Sequence, residues 1–418
     1  MERYLAAIIE QGLWSLLNLG VNLGVARYLT PEEYGTFVFW TNLGFVLSSL
    51  QAALTTCHLW ALAPGEGDAP HRLETERMMH VVTVLFLAAV IVISLVGAVV
   101  LAGPFEILAA PLFLASYLLQ QYLRSLYFSR GKPWMATLQT ALVLAIAFLL
   151  LGAGLVSGKP LQGEFVLACL AIAYGVVGLV WAVRGCASQM RGSWPHLRGY
   201  AAFAIQSSWI FLGVTTTELL ARFYAFIVAA WYGPRDLAIL AATQLLLRPV
   251  SLLGASWSMV ARTDLASQRE ASQWGRFTTL VVGAVAAGMV IAVVWTALVG
   301  FGWRQIADHL FGGKYREYSW MVGLWGVSAA LSFGQIVLNS ALQVLREFKV
   351  LALANAAASA AAALAIVAIM WKFGYSGAIA GTATGQLLEM VVMGLLLAAA
   401  IRNAKTSGAR PAPGARAF

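Results

Sequence analysis

Long apolar stretches, separated by short polar and basic segments, recur from one end of the chain to the other. A spanning helix needs roughly 20 mostly apolar residues to cross a hydrocarbon core about 30 Å thick. By that measure the pattern predicts twelve spans, at 5–28, 34–62, 79–103, 106–128, 134–157, 164–186, 200–232, 237–261, 277–302, 319–344, 350–371 and 377–401. Strand-like alternation is rare, which argues against a β-barrel. The first stretch carries Glu10, Gln11, Asn18 and Asn22 and lacks a small-residue cleavage site. It therefore reads as a retained helix and not as a signal peptide. The fold class expected is an all-α polytopic membrane protein.

Composition agrees. Hydrophobic residues make up 60% of the 418 positions and charged residues 11%, where a soluble domain has about 25% charged. The net charge of +9 could suggest nucleic acid, but its placement points elsewhere. With the N-terminus inside, cytoplasmic loops and tail hold sixteen Lys and Arg, and external loops hold six: Lys159, Arg235, Arg304, Lys314, Arg316 and Lys372. That is a positive-inside bias, so both termini are expected in the cytoplasm and no nucleic-acid partner is expected. Cys57, Cys169 and Cys186 stand singly, without metal or disulfide spacing, and no cofactor is expected. The longest loops run to only about 16 residues, too short for a soluble catalytic domain. An enzyme is not expected.

A weak internal repeat aligns Val25-Ala26-Arg27-Tyr28-Leu29-Thr30-Pro31-Glu32-Glu33 with Val228-Ala229-Ala230-Trp231-Tyr232-Gly233-Pro234-Arg235-Asp236. Each copy ends a long span just before an external turn, where proline presets the turn and cannot continue a helix. Two parallel six-span halves follow. The expected organisation is a lobe at 1–187, a cytoplasmic linker at 188–199, a second lobe at 200–402 and a disordered tail at 403–418.

Charged and amide side chains inside the spans carry the candidate chemistry, because each charge at mid-bilayer costs roughly 2.5–3.5 kcal/mol on the insertion scale. Span 7 puts Ser208, Thr215, Glu218 and Arg222 on one stripe, and Glu218 and Arg222 form an i,i+4 pair. That pair either docks the helix or lines a water-filled cavity. Span 8 puts Gln244, Arg248, Ser251 and Ser258 on one stripe, with Pro249 breaking the ladder beside the arginine. Arg248 has no acid within one turn, and a guanidinium suits a phosphate or carboxylate ligand. Its alternative is a partner on another helix, such as Glu389 or Glu218. Span 1 places Gln11, Ser15, Asn18 and Asn22 on one face, while Arg27 lies about 140° round from Asn22. Either Gly20 and Gly24 bend the helix, or Arg27 snorkels to the outer interface. Gln335, Asn339, Gln343 and Arg346 in span 10 correspond to Tyr117, Gln121 and Arg124 in span 4. These amides suit sugar hydroxyls or helix packing. Within the membrane, Arg27, Arg124, Arg222 and Arg248 outnumber the acids Glu10, Glu218 and Glu389, which are also the candidate coupling acids for H⁺ or Na⁺.

The run from Ala26 to Phe37, Ala-Arg-Tyr-Leu-Thr-Pro-Glu-Glu-Tyr-Gly-Thr-Phe, resembles the signature after helix 1 of the polysaccharide-transporter (Wzx-like) branch of the multidrug/oligosaccharidyl-lipid/polysaccharide exporter superfamily. Leu310-Phe311-Gly312-Gly313-Lys314-Tyr315 looks like a second stretch of that family, and Leu220-Ala221-Arg222-Phe223 with Tyr232-Gly233-Pro234 resembles its helix 7 pattern. Where the family usually has Asp before that Arg, this chain has Ala221, and the nearest acid is Glu218. The resemblance implies two six-helix bundles in a V, working by alternating access. It implies a monomeric flippase for lipid-linked oligosaccharide in the bacterial cytoplasmic membrane, beside polysaccharide polymerase and assembly proteins. Arg27 and Arg248 would then hold the diphosphate, with Arg222 and Arg124 as further cavity cations. Two rivals stand beside it: a cation-coupled multidrug exporter using Glu10 and Glu218, and an integral-membrane glycosyltransferase or polymerase using Glu32 and Glu33. The resemblance leaves the pathway and the energy source open.

Overall fold

A computed structural model describes residues 2–60, 70–101, 106–158, 161–186, 197, 199–345 and 348–406. The described residues are almost wholly helical. The chain is an all-α polytopic membrane protein, with a helix at each of the twelve expected spans. Packing divides it into a unit of Met1–Ala238 with Leu310–Gly312, and a unit of Ile239–His309 with Gly313–Phe418. Most of the expected linker at 188–199, and 407–418 of the expected tail, lie outside the described residues.

The first unit contains α1 (Glu2–Tyr28), α2 (Pro31–Leu54), a short α3 (Thr56–Trp60), α4 (Pro70–Leu101), α5 (Glu106–Ser129), α6 (Pro133–Val156), α7 (Gly163–Gly185) and α8 (Ala201–Trp231). Here α5 packs between α7 and α4, α1 packs on α6, and α2 packs on α8. Because of that last contact α8, which follows the expected linker, groups with the first unit. The start of α2 shows why the Thr-Pro-Glu-Glu run has its form. Thr30 caps the helix, Pro31 opens it, and Glu33 closes a capping box, with its carboxylate 3.1 Å from the Thr30 amide. Glu33 also accepts the Gly163 amide at 3.3 Å, which ties α7 to the same corner. A Cβ on Gly35 would fall on the Pro234 carbonyl, so glycine permits the turns of the two repeat copies to touch. Glu32 and Arg235 face each other there at 3.9 Å. Both glutamates that a glycosyltransferase reading would use thus have architectural partners.

The chain then enters α9 (Pro234–Leu245), which crosses the packing boundary. The second unit continues with α10 (Arg248–Glu270), α11 (Trp274–Phe301), α12 (Trp303–Phe311, of which Leu310 and Phe311 group with the first unit), α13 (Ser319–Val344), α14 (Phe348–Phe373) and α15 (Gly377–Thr406). Its core lies where α13 meets α10 and α11, around Val250, Leu265, Phe277, Phe333 and Val337. Gly377, Gly381 and Gly385, one turn apart, bring α15 onto the backbone of α14 at Ile369, Ile366 and Ala362. Small residues at this spacing let helices pack closely where lipid supplies no hydrophobic drive.

Three expectations change. Span 8 is not continuous: α9 and α10 meet at 54° across Leu246–Leu247, and Pro249 opens α10 just after the break. The loop at 303–318 contains the amphipathic α12, with Trp303, Ala307 and Phe311 buried. The loop at 63–78 is shorter than expected, because α4 begins at Pro70. Among the described residues, seven helical runs are long and apolar enough to cross a membrane, and the bent α9–α10 pair makes up to eight. One of the seven, Leu353–Lys405, covers both α14 and α15. The long helices α1, α5 and α8 fall outside that set, and they carry the polar residues described next.

Candidate functional site

Helix α1 presents Glu10 to α5 and α6. Its carboxylate, in a residue only 1% exposed, takes two bonds from Arg124, Nε to Oε1 at 2.5 Å and Nη2 to Oε2 at 2.7 Å. Thr140 of α6 donates a third at 2.9 Å, and Gln121 accepts from Arg124 Nη1 at 3.4 Å. This fork-to-fork geometry is the strong form of an ion pair. A buried pair needs such completeness, because desolvating each ion costs several kcal/mol. Arg124 also lies 5.5 Å over the Trp14 ring, so its charge is met by carboxylate and π face together.

Above this pair stand aromatic rings. Trp14 stacks on Tyr117 at 6.1 Å, and Tyr117 meets Phe45 edge-on at 6.0 Å and Tyr174 at 5.4 Å. Phe45 in turn lies under Arg222, with the guanidinium carbon 4.5 Å from the ring centroid. A column Trp14–Tyr117–Phe45 therefore links Arg124 and Arg222. Beside it Asn18, Asn22, Thr41 and Phe45 line a cavity of about 20 Å³, room for about one water. Asn18 and Asn22 each give an amide N–H to the turn before, to Trp14 O at 2.9 Å and Asn18 O at 2.8 Å. Each amide keeps its oxygen and a second N–H as polar groups that this face can offer.

Arg222 is the more accessible cation. Its Nε lies 3.2 Å from Glu218 Oε2, with side chains 27% and 31% exposed, and its Nη1 donates to Asn42 Oδ1 of α2 at 2.8 Å. Asn42 is held by its own bond to Val38 O at 2.9 Å. The i,i+4 pair read from the sequence is thus also a contact between α8 and α2.

The second unit handles its acid differently. Glu389 of α15 is half-buried, and Gln335 of α13 donates to its Oε2 at 2.6 Å. Ser328 of α13 also donates to Gln386 of α15 at 2.7 Å, and within α13 Gln343 donates to Asn339 at 2.8 Å. Glu389 and Glu218, the acids considered as partners for Arg248, are thus bonded to Gln335 and Arg222. Arg248 itself is the first residue of α10, half-buried at the helix break, where Trp295 of α11 donates to the exposed Leu246 carbonyl at 2.7 Å.

The expected site residues accordingly fall into groups. Glu10, Gln121 and Arg124 come together, as do Glu218 with Arg222 and Gln335 with Glu389; Asn18 and Asn22 line the small cavity. Ser15 and Gln244 are half-buried, Gln11 and Ser208 are exposed, and the Thr215 hydroxyl is buried without a hydrogen-bond partner among the described residues. Arg27 does not bend inward: α1 is unbroken to Tyr28, and Arg27 lies exposed in its last turn, 5.8 Å over the Tyr28 ring. The break in span 8 interrupts the expected stripe after Gln244. Trp14, Asn42, Phe45 and Thr140 were not singled out by the sequence. Asn42 is the one that could have been, as an amide in an otherwise apolar stretch.

No protein-family model and no curated protein matches the chain. Solved structures do. The chain is similar to the lipid II flippase MurJ in an inward closed conformation, with TM-score 0.70 and 12% identity over 96% of this chain and 90% of that one. It is similar to an inward-facing multidrug resistance MATE family transporter of the MOP superfamily, with TM-score 0.64 and 14% identity over 96% and 100%. It is also similar to the eukaryotic MATE transporter AtDTX14, with TM-score 0.59 and 17% identity over 97% of both chains. The chain has the fold these transporters share.

Proposed function

We propose that this protein is a transporter that moves a polyprenyl-diphosphate-linked oligosaccharide across the cytoplasmic membrane by alternating access. The observation that carries the reading is the presence of arginines within the spans. Arg124, Arg222 and Arg248 stand there with three acids, Arg27 lies exposed at the end of α1, and two of the acids, Glu10 and Glu218, are each committed to an arginine of the first unit. Glu389 engages an amide. Intramembrane arginines favour an anionic cargo, and arginine is suited to phosphate because it stays charged and offers a planar fork. The fold shared with a lipid flippase supports a lipid-linked cargo, and the amides of α1 and α13 suit glycan hydroxyls. The cavity of the first unit holds about one water, so loading requires these helices to part.

A second reading, export of a multidrug-type compound, is favoured by the aromatic column of Trp14, Tyr117 and Phe45, whose ring faces suit flat or cationic molecules. Lipid analysis of a deletion strain separates the two. The flippase reading expects lipid-linked oligosaccharide trapped on the cytoplasmic leaflet, and an unchanged lipid pool overturns it. Arg248→Ala is expected to abolish glycan export while the protein remains inserted, whereas neutralising Glu218 should abolish resistance in a drug exporter.

A further inference from the structure

The break in span 8 opens a groove that the sequence did not announce. Where α9 ends and α10 turns away by 54°, Pro249, Leu252, Leu253 and Ser256 of α10 face Ile291 and Trp295 of α11 across about 330 Å³. That volume is in the range of small-molecule pockets, roughly 300–1,000 Å³. Its walls offer hydrocarbon only. The Ser256 hydroxyl donates back to Leu252 O at 2.9 Å, and the Trp295 N–H is spent on Leu246 O at 2.7 Å. Leu252, Leu253, Ile291 and Trp295 are all at least 38% exposed, so the groove is open along its length.

The residue next to its first wall residue, Pro249, is an arginine. Arg248 begins α10, one turn ahead of Leu252 and about 40° round the helix from it. From Arg248 to Ser256 the wall runs on for about 12 Å. A guanidinium followed by an unbroken apolar wall is complementary to a molecule with a phosphate at one end and a hydrocarbon chain at the other.

We infer that this groove seats the proximal part of the isoprenoid chain of a polyprenyl phosphate lipid, with the phosphate toward Arg248. The inference rests on the proposed lipid-linked cargo and adds where the carrier's tail lies. During translocation the polar head must leave hydrocarbon while the tail stays in it. A lateral apolar groove beside an intramembrane arginine lets one molecule do both.

The test uses the purified full chain with a long-chain polyprenyl phosphate carrying no sugar, so it reads the groove independently of glycan transport. In native mass spectrometry the wild type should retain this lipid at least tenfold better than phosphatidylglycerol, and Ser256→Trp or Ile291→Trp, which fill the groove from either wall, should remove that preference. A diazirine placed on the isoprene units nearest the phosphate should crosslink the wild type within 249–256 or 291–295. Crosslinking confined to other helices, or well-folded variants that bind as the wild type does, would overturn the assignment. Equal retention of phosphatidylglycerol would also overturn it, making the groove a general lipid seat. An unchanged lipid pool in the deletion strain, with groove binding intact, would instead remove the proposed cargo and leave the binding site standing.

Discussion

Each unit holds an acid within its helices, Glu10 buried and Glu389 half-buried, and the two acids are treated in opposite ways. Glu10 in the first unit is enclosed by Arg124, Thr140 and, through the arginine, Gln121. Glu389 in the second is met by Gln335, and no cation stands within ion-pair distance among the described residues. The helices around Glu389 explain this. Within Ser319–Val344 there is no charged residue, and along α15 the next charge is Arg402, thirteen positions away. At 1.5 Å per residue that is about 20 Å. The contrast separates two uses of a carboxylate within the helices. One that carries a full complement of donors and a bidentate cation fixes three helices together. One that accepts from a neutral amide can keep that bond with or without its charge, which suits a role in which the charge changes.

The largest effect should come from breaking the first arrangement. Arg124→Ala leaves Glu10 buried without its cation, and losing one partner of a buried pair costs about 3–5 kcal/mol. Thermal unfolding in detergent should show a marked loss of stability, and Arg124→Lys, which cannot make the two-pronged contact, should recover only part of it. Wild-type stability in Arg124→Ala would mean that α1, α5 and α6 are held by apolar packing alone. Next in size is Thr140→Val, similar in shape but without the hydroxyl. It removes one hydrogen bond to a charged group, about 1.5–3 kcal/mol, from a residue that is fully buried.

Arg222 sharpens the contrast from within the first unit, because its pair with Glu218 is over a quarter exposed on both sides. Exposed pairs contribute about 0–1 kcal/mol. Glu218→Gln should therefore leave the unfolding temperature nearly unchanged, while transport, read as export of the glycan, falls if this cation meets the cargo. A large stability loss with normal transport would make the pair a helix dock and nothing more.

How far the sequence reaches into these sites depends on distance along the chain. The twelve spans were legible because membrane thickness imposes a length that can be read directly. Glu218 and Arg222 were legible because one helical turn brings them together. Glu10 and Arg124 are separated by 114 positions, and each alone looks like a cavity charge in search of a ligand. Only the packing of α1 on α6 and the position of α5 reveal that they satisfy each other. The Thr30-Pro31-Glu32-Glu33 run is a local signal of the opposite kind. Its acids look like chemistry, yet the capping box and the close approach at Gly35 explain most of it. Pro249 hinted at a disturbed helix, but nothing local announced that Trp295 of another helix donates to the Leu246 carbonyl at the 54° bend.

The smallest expected change in stability is at Glu389, and it is the most discriminating. Glu389→Gln keeps the size of the side chain and an oxygen for the Gln335 amide, so stability should shift by less than about 1 kcal/mol. If this acid only helps α13 to hold α15, transport should be as insensitive as folding. If its charge state takes part in the cycle, the amide holds it permanently neutral. Transport driven by an imposed proton gradient should then fall at least tenfold, while binding of a polyprenyl phosphate is unchanged. Glu389→Asp, which keeps the titratable group but shortens its reach to Gln335, should restore part of that transport. A variant pair in which both substitutions transport as the wild type does would place Glu389 beside Glu33, as an acid whose work is architectural.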